Sequence, residues 1–147
     1  MKITDMQAAC GLAQLSKLEK FIRKRKKNFK FLKSSLEELS DLIILPKEEN
    51  NSDPSWFGFP ITLKENSKLN RHQLLLKLNE NKIGTRLLFS GNLTKQPAYL
   101  KREFKVFGEL LNTDLVMKNT FWIGLYPGLG EEQLDFVTQS IKKNLKK

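Results

Sequence analysis

The residues from Ile83 to Pro97, IGTRLLFSGNLTKQP, hold the densest collection of groups suited to a polar ligand. An apolar run, Leu87-Leu88-Phe89, leads straight into Ser90-Gly91-Asn92, with Arg86, Lys95 and Gln96 close by. Such a turn sets polar groups and bare backbone beside an apolar wall, as a pocket needs in order to orient a polar ligand. Helix or strand packing does not call for it. Two further segments read the same way, MKITDMQAACGLAQL at residues 1–15 and NTFWIGLYPGL at residues 119–129.

The other reactive residues do not assemble into a self-sufficient active site. His72 is the only histidine, on the first turn of an expected helix between Arg71 and Gln73, and no nucleophile motif surrounds it. Its expected role is at the surface or in a cap. Metal ligation lacks a Cys/His cluster. Glu37-Glu38 and Glu131-Glu132 are adjacent pairs that point in different directions on a helix, unlike a glycosidase pair. Gly124, Gly128 and Gly130 fit neither phosphate-loop nor dinucleotide spacing. Cys10 sits among small residues in a helical pattern and reads as packing.

Composition bounds the class. A chain of 147 residues with 39% hydrophobic content and ten Phe is enough for one globular domain. No apolar run approaches the ~20 residues that span a bilayer, and the start lacks the apolar core of a secretory signal. A single cysteine cannot form an internal disulfide, so a reducing cytoplasm is the simplest compartment. The formal charge of +10 raises the question of nucleic acid. Arg23-Lys24-Arg25-Lys26-Lys27, however, occupy consecutive helical positions and so surround the helix. Lys142, Lys143, Lys146 and Lys147 lie in the last turns of a terminal helix, where cations suit the dipole. Aromatics do not alternate with the basic residues, which argues for a solvated surface over a nucleic-acid partner.

The elements that must position the turn follow from periodicity and caps. Thr4 with Gln7 forms a capping box, and Leu15, Leu18, Ile22, Phe29, Leu32, Leu36 and Leu39 continue one apolar face broken only by Arg25. A helix over residues 4–39 is expected, about 50 Å long at ~1.5 Å per residue, too long for one small domain unless it bends or reaches another body. Strands are expected at Leu42–Leu45, Trp56–Leu63, Ile83–Leu87 and Phe121–Leu125. Gly58 and Pro60 mark the second as an edge or bulge. Asn70 with Gln73 caps a helix to about Asn81, Thr113 caps a short one through Met117, and Gly130 starts the last. That last helix turns Leu134, Val137, Ile141 and Leu145 inward. The fold class is α+β: a small, mainly antiparallel sheet covered by helices and preceded by a long N-terminal helix.

Taken together, the three segments resemble the C-terminal part of the DegT/DnrJ/EryC/StrS sugar aminotransferase/dehydratase family, pyridoxal phosphate (PLP) enzymes of fold type I. The nearest branch removes the 3-hydroxyl of a CDP-linked 4-keto-6-deoxyhexose. The resemblance runs almost end to end but covers only the last third or so of such an enzyme. It implies residues 1–39 as a connecting helix and residues 40–147 as the small domain that walls the substrate cleft. The large PLP-binding domain would lie upstream, outside this chain.

Three departures from the aminotransferase form favour the dehydratase branch. Phe57 stands where aminotransferases tend to have histidine, Leu88-Phe89 replaces their His-Tyr or His-Phe pair, and Ser90-Gly91-Asn92 has the dehydratase continuation. By the resemblance, the substrate-binding candidates are Phe57, Arg86, Phe89, Ser90, Asn92 and Gln96. Arg86 either meets the diphosphate or carbonyl of a sugar nucleotide or makes a surface salt bridge. Asn92 and Gln96 either bind sugar hydroxyls or hold the loop's own backbone. Phe57 is either wall or core, and Phe121 and Trp122 read as core. In the complete enzyme the resemblance implies PLP or its amine form PMP, a 2Fe–2S cluster, a homodimer and an iron–sulfur flavin reductase. This chain alone would hold neither cofactor nor turn over, and catalytic residues would lie upstream. An aminotransferase fragment and a stand-alone basic nucleic-acid-binding module remain the alternatives.

Overall fold

The computed structural model describes residues 2–146. The N-terminal helical stretch begins as its cap foretells: Thr4 Oγ1 accepts from Gln7 N–H, and Gln7 Oε1 accepts from Thr4 N–H at 2.9 Å. The expected single rod is two helices, α1 (Asp5–Leu15) and α2 (Leu18–Leu36), closed by a 3-10 turn at Glu37–Leu39. Ser16 and Lys17 separate them while keeping right-handed helical dihedrals, and Ser16 Oγ donates back to the Ala13 carbonyl. Such back-bonding competes with the helical ladder and loosens one turn.

The two helices differ in what covers them. No residue of α1 is buried, whereas α2 buries Asn28, Phe29, Leu32 and Leu36. Cys10, expected to pack, is therefore exposed. Small residues made that helix fit for close approach, but among the described residues none covers it.

Beyond α2 the chain builds β1 (Ile43–Ile44), β2 (Gly58–Leu63), α3 (Arg71–Glu80), β3 (Thr85–Leu87), α4 (Leu111–Asn119), β4 (Thr120–Gly124) and α5 (Glu131–Leu145). The sheet is antiparallel throughout, in the order β1-β2-β4-β3. Alternation along β2 and β4 turns Phe59, Ile61, Leu63, Phe121 and Ile123 inward. They meet Phe29, Leu32 and Leu36 of α2, Leu74 and Leu78 of α3, and Leu134, Ile141 and Leu145 of α5 in one core. This is the expected α+β class. Among the described residues no helix is long and apolar enough to cross a membrane.

One local expectation holds and one needs correction. Pro60 suggested an edge or bulge, and although β2 lies between β1 and β4, its outer side is an edge at Pro60. Leu125 N–H donates to the Phe57 carbonyl, which sets residues 57, 59 and 61 to bond β4 and directs Pro60 to the other side. There β1 pairs only with Thr62 and Leu63, so no neighbour needs the missing N–H. Thr113 was expected to cap α4, but the N-cap is Leu110, held at φ 55° without a side-chain bond. A left-handed entry, not a hydroxyl, starts this helix.

Candidate functional site

The alternation that buries Phe59 and Phe121 exposes the residues between them. Trp122 stands in register with Pro60 on one side and Arg86 on the other, so all three share the face turned from the core. Phe57, 63% exposed, meets the Trp122 ring edge-on, centroids 5.1 Å apart at 73°. Trp122 Nε1 donates to the Leu87 carbonyl at 3.1 Å. A Cβ on Gly58 would lie 2.5 Å from the indole, so the glycine is there to let the ring lie flat on the strand. The indole is fixed on three sides. Trp122, read as core from the sequence, is the centre of an open aromatic face.

Arg86 is exposed, and its Nη1 donates only to the Thr85 carbonyl at 3.0 Å. No ion pair among the described residues engages it, so the salt-bridge alternative falls away. Its planar fork is free to meet an anion or carbonyl.

The loop after β3 is held from beneath by α4. Phe89, 79% exposed, sits at φ 50°, a region uncommon for a side-chain-bearing residue. Such a conformation costs roughly 1–3 kcal/mol and persists only where neighbours impose it. They do so here. Gln96 Nε2 donates to the Ser90 carbonyl at 2.6 Å. Gly91 turns at φ 64° directly against Met117, whose Cβ an added methyl would reach at 2.5 Å. Met117 Sδ accepts from Asn92 N–H at 3.4 Å. Arg71 in turn fixes Met117, donating to its carbonyl at 2.6 Å and to that of Thr120 at 3.1 Å.

Asn92, a candidate ligand residue, is 2% exposed and fully committed to the loop. Its Oδ1 accepts from Thr94 N–H and Oγ1, and its Nδ2 donates to Asp114 at 2.8 Å. Hydrogen bonds from Lys95 and then Asn92 hold the Asp114 carboxyl below its ordinary pKa, so the clasp is ionic. Both polar atoms of the Asn92 side chain have partners within the protein, and they fasten the loop. Gln96 also serves the loop. Of the six candidates, Phe57, Arg86, Phe89 and Ser90 remain on the open side.

Sequence reasoning missed Trp122, Met117, Arg71 and Asp114. The in-register partners of Trp122 were a usable signal once β2 and β4 were paired; nothing in sequence announced the other three. The cavity behind the loop measures about 220 Å³ and is lined by Arg71, Leu88 and Met117 among others. That is below the roughly 300–1,000 Å³ of small-molecule sites.

No group of three His, Cys, Asp or Glu among the described residues could hold a metal ion. Nor do these residues fit pyridoxal phosphate by themselves. The face offers aromatic rings and a guanidinium but no phosphate cradle, and Lys95, the lysine of the loop, is tied to Asp114.

The chain is 55% identical over 97% of its length to a lipopolysaccharide biosynthesis protein, RfbH, of Salmonella typhimurium, covering 33% of that protein. It is 43% identical over 96% of its length to a dTDP-4-dehydro-2,6-dideoxy-D-glucose 3-dehydratase of Saccharopolyspora spinosa, covering 30% of it. Among solved structures, E. coli GDP-4-keto-6-deoxy-D-mannose-3-dehydratase with bound hydrated PLP superposes with a TM-score of 0.83 at 28% identity, over 93% of this chain and 35% of that one. The chain thus spans about a third of the length of these relatives. Residues 1–142 match one family model, and the chain belongs to the DegT/DnrJ/EryC1/StrS aminotransferase family.

Proposed function

We propose that this chain is the substrate wall of a sugar-nucleotide 3-dehydratase that removes the C3 hydroxyl of CDP-4-keto-6-deoxyglucose, in the making of 3,6-dideoxyhexoses for surface polysaccharide. The observation that carries the reading is the Phe57–Trp122 aromatic pair on the sheet face turned from the core. The relatives named as 3-dehydratases support it.

In this reading the chain's residues bind, orient and exclude water. Phe57, Trp122 and Phe89 keep the cleft dry, which protects a reactive intermediate. Arg86 meets the diphosphate or the keto oxygen, and Ser90 offers its hydroxyl to the sugar. Asn92, Gln96 and Met117 hold the loop in place. In the complete enzyme PLP or PMP supplies the electron sink and a 2Fe–2S cluster with a flavin reductase supplies electrons. Both would be held outside this chain, in a homodimer. The 147-residue chain by itself would show neither PLP-type absorbance nor sugar dehydration.

A chimera tests this: the chain replaces the C-terminal third of the Salmonella relative, and products from CDP-4-keto-6-deoxyglucose are followed. Retained C3 dehydration is expected, with loss on Arg86→Ala. A product aminated at C4 would sink the reading and favour an aminotransferase, as would activity in the isolated chain.

A further inference from the structure

We infer that the cleft between the first turns of α5 and the turn leading into β3 binds an apolar α-amino acid in its zwitterionic form. The cleft measures about 630 Å³, within the range of small-molecule sites. Core side chains form its floor: Leu32 of α2, Ile123 of β4 and Leu134 of α5. Two aromatic rings flank it, Phe136 at 53% and Tyr126 at 55% exposure.

The mouth is kept clear by bare backbone. A Cβ on Gly84 or Gly124 would meet nothing within 4 Å, and neither glycine has a positive φ. Neither close packing nor backbone conformation therefore calls for them, whereas a ligand entering between them would need the room.

Charge sets the polar end of the ligand. Lys82 closes α3: its N–H donates to the Asn79 carbonyl and the Ile83 N–H to that of Leu78, both at 2.9 Å, the bonding of a Schellman cap. That position takes a left-handed backbone, and Lys82 adopts φ 60° where glycine is the usual residue. A lysine held there is strained, and its side chain lines the cleft with no ion pair among the described residues. From the other wall Glu132, in the first turn of α5, brings a carboxylate that also has no ion pair there. A ligand with only an anionic group would suit Lys82 and be repelled by Glu132; one with only a cationic group would meet the reverse. A zwitterion satisfies both, and the apolar floor favours a hydrocarbon or aromatic side chain over a polar one. A peptide in mid-chain carries no such pair of charged ends. The inference does not rest on the dehydratase reading.

The test uses the full 147-residue chain, followed by amide NMR during titration with L-phenylalanine, 3-phenylpropionate, phenethylamine and free glycine. L-phenylalanine is expected to move residues 82–84, 123–129 and 132–137 saturably. It should bind about tenfold or more tightly than either one-charge analogue, the scale of a lost charge-assisted contact. Lys82→Gly removes the ammonium and relieves the left-handed residue, so it should raise the urea midpoint while weakening L-phenylalanine about tenfold or more. Loss of binding in a more stable protein cannot come from misfolding. Glu132→Gln should weaken binding as well, and Lys47→Gln, exposed in the loop before β2, should leave it unchanged. Unsaturable shifts, shifts outside the cleft, or undiminished binding by Lys82→Gly would each overturn the site. Equal affinity for either one-charge analogue would overturn the zwitterion, and equal affinity for free glycine would overturn the apolar half.

Discussion

Helices α1 and α5 start alike and end up with opposite roles. Each has a glutamine three residues in whose side chain accepts the N-cap N–H: Gln7 for Thr4, and Gln133 for Gly130. Yet α5 buries Leu134, Thr138, Ile141 and Leu145, while α1 buries nothing and leaves Met6, Leu12 and Leu15 in the open. Local sequence decides where a helix begins; a packing partner decides whether it contributes to the fold. With 11 residues, α1 falls below the ~12–15 at which isolated helices hold in water. Its apolar side chains are suited to a surface that this chain does not provide.

The sharpest way to break the comparison is a matched pair of deletions. Ile141→Ala in the core should cost about 3 kcal/mol in the denaturant midpoint, since Ile141 is fully buried. A loss near zero would mean that α5 does not anchor the fold. Amide exchange should then separate the helices, with α5 protected close to the global stability and α1 exchanging at nearly unfolded rates. Equal protection would erase the contrast.

A smaller effect concerns how the C-terminal end of α5 is held. Glu38 sits between Lys142 and Lys146, whose hydrogen bonds lower its pKa from 4.5 to about 2. A depressed carboxyl pKa stabilises the fold above the unfolded value and loses that contribution as pH falls from 4.5 toward about 2. Glu38→Gln should flatten the stability-versus-pH curve in that window, measured by urea unfolding. The pair is solvent-exposed, so the change should be modest. Smallest of all, Leu12→Ala in α1 should move the midpoint by less than about 0.5 kcal/mol. A larger shift would mean that α1 is packed after all.

What could be read from the sequence was local. Thr4 with Gln7 and Asn70 with Gln73 are both capping boxes in the structure, because the signal and the contact lie within one turn. The turn after β3 was legible because no periodic element explains it. Long-range pairings were not legible. Trp122 was read as core because its place depends on which strands flank β4, and Asn92 stayed open between ligand and loop tie because Asp114 and Met117 reach it only through tertiary packing. The partners of the basic run were hidden for a related reason: five adjacent cations look alike until Asp53 and Glu131 single out Lys26 and Lys27. Leu110 shows the same limit, since a left-handed leucine has no sequence signature.

Pro60 carries a consequence for solubility. The stretch of β2 beyond the two-residue β1 presents a row of unpaired backbone groups, the template on which a strand from another molecule would grow. A ring nitrogen without hydrogen sits in the middle of that row, so an incoming strand finds no donor there and cannot zip along it. The interruption guards against edge-to-edge aggregation, at no expense to the ladder with β4.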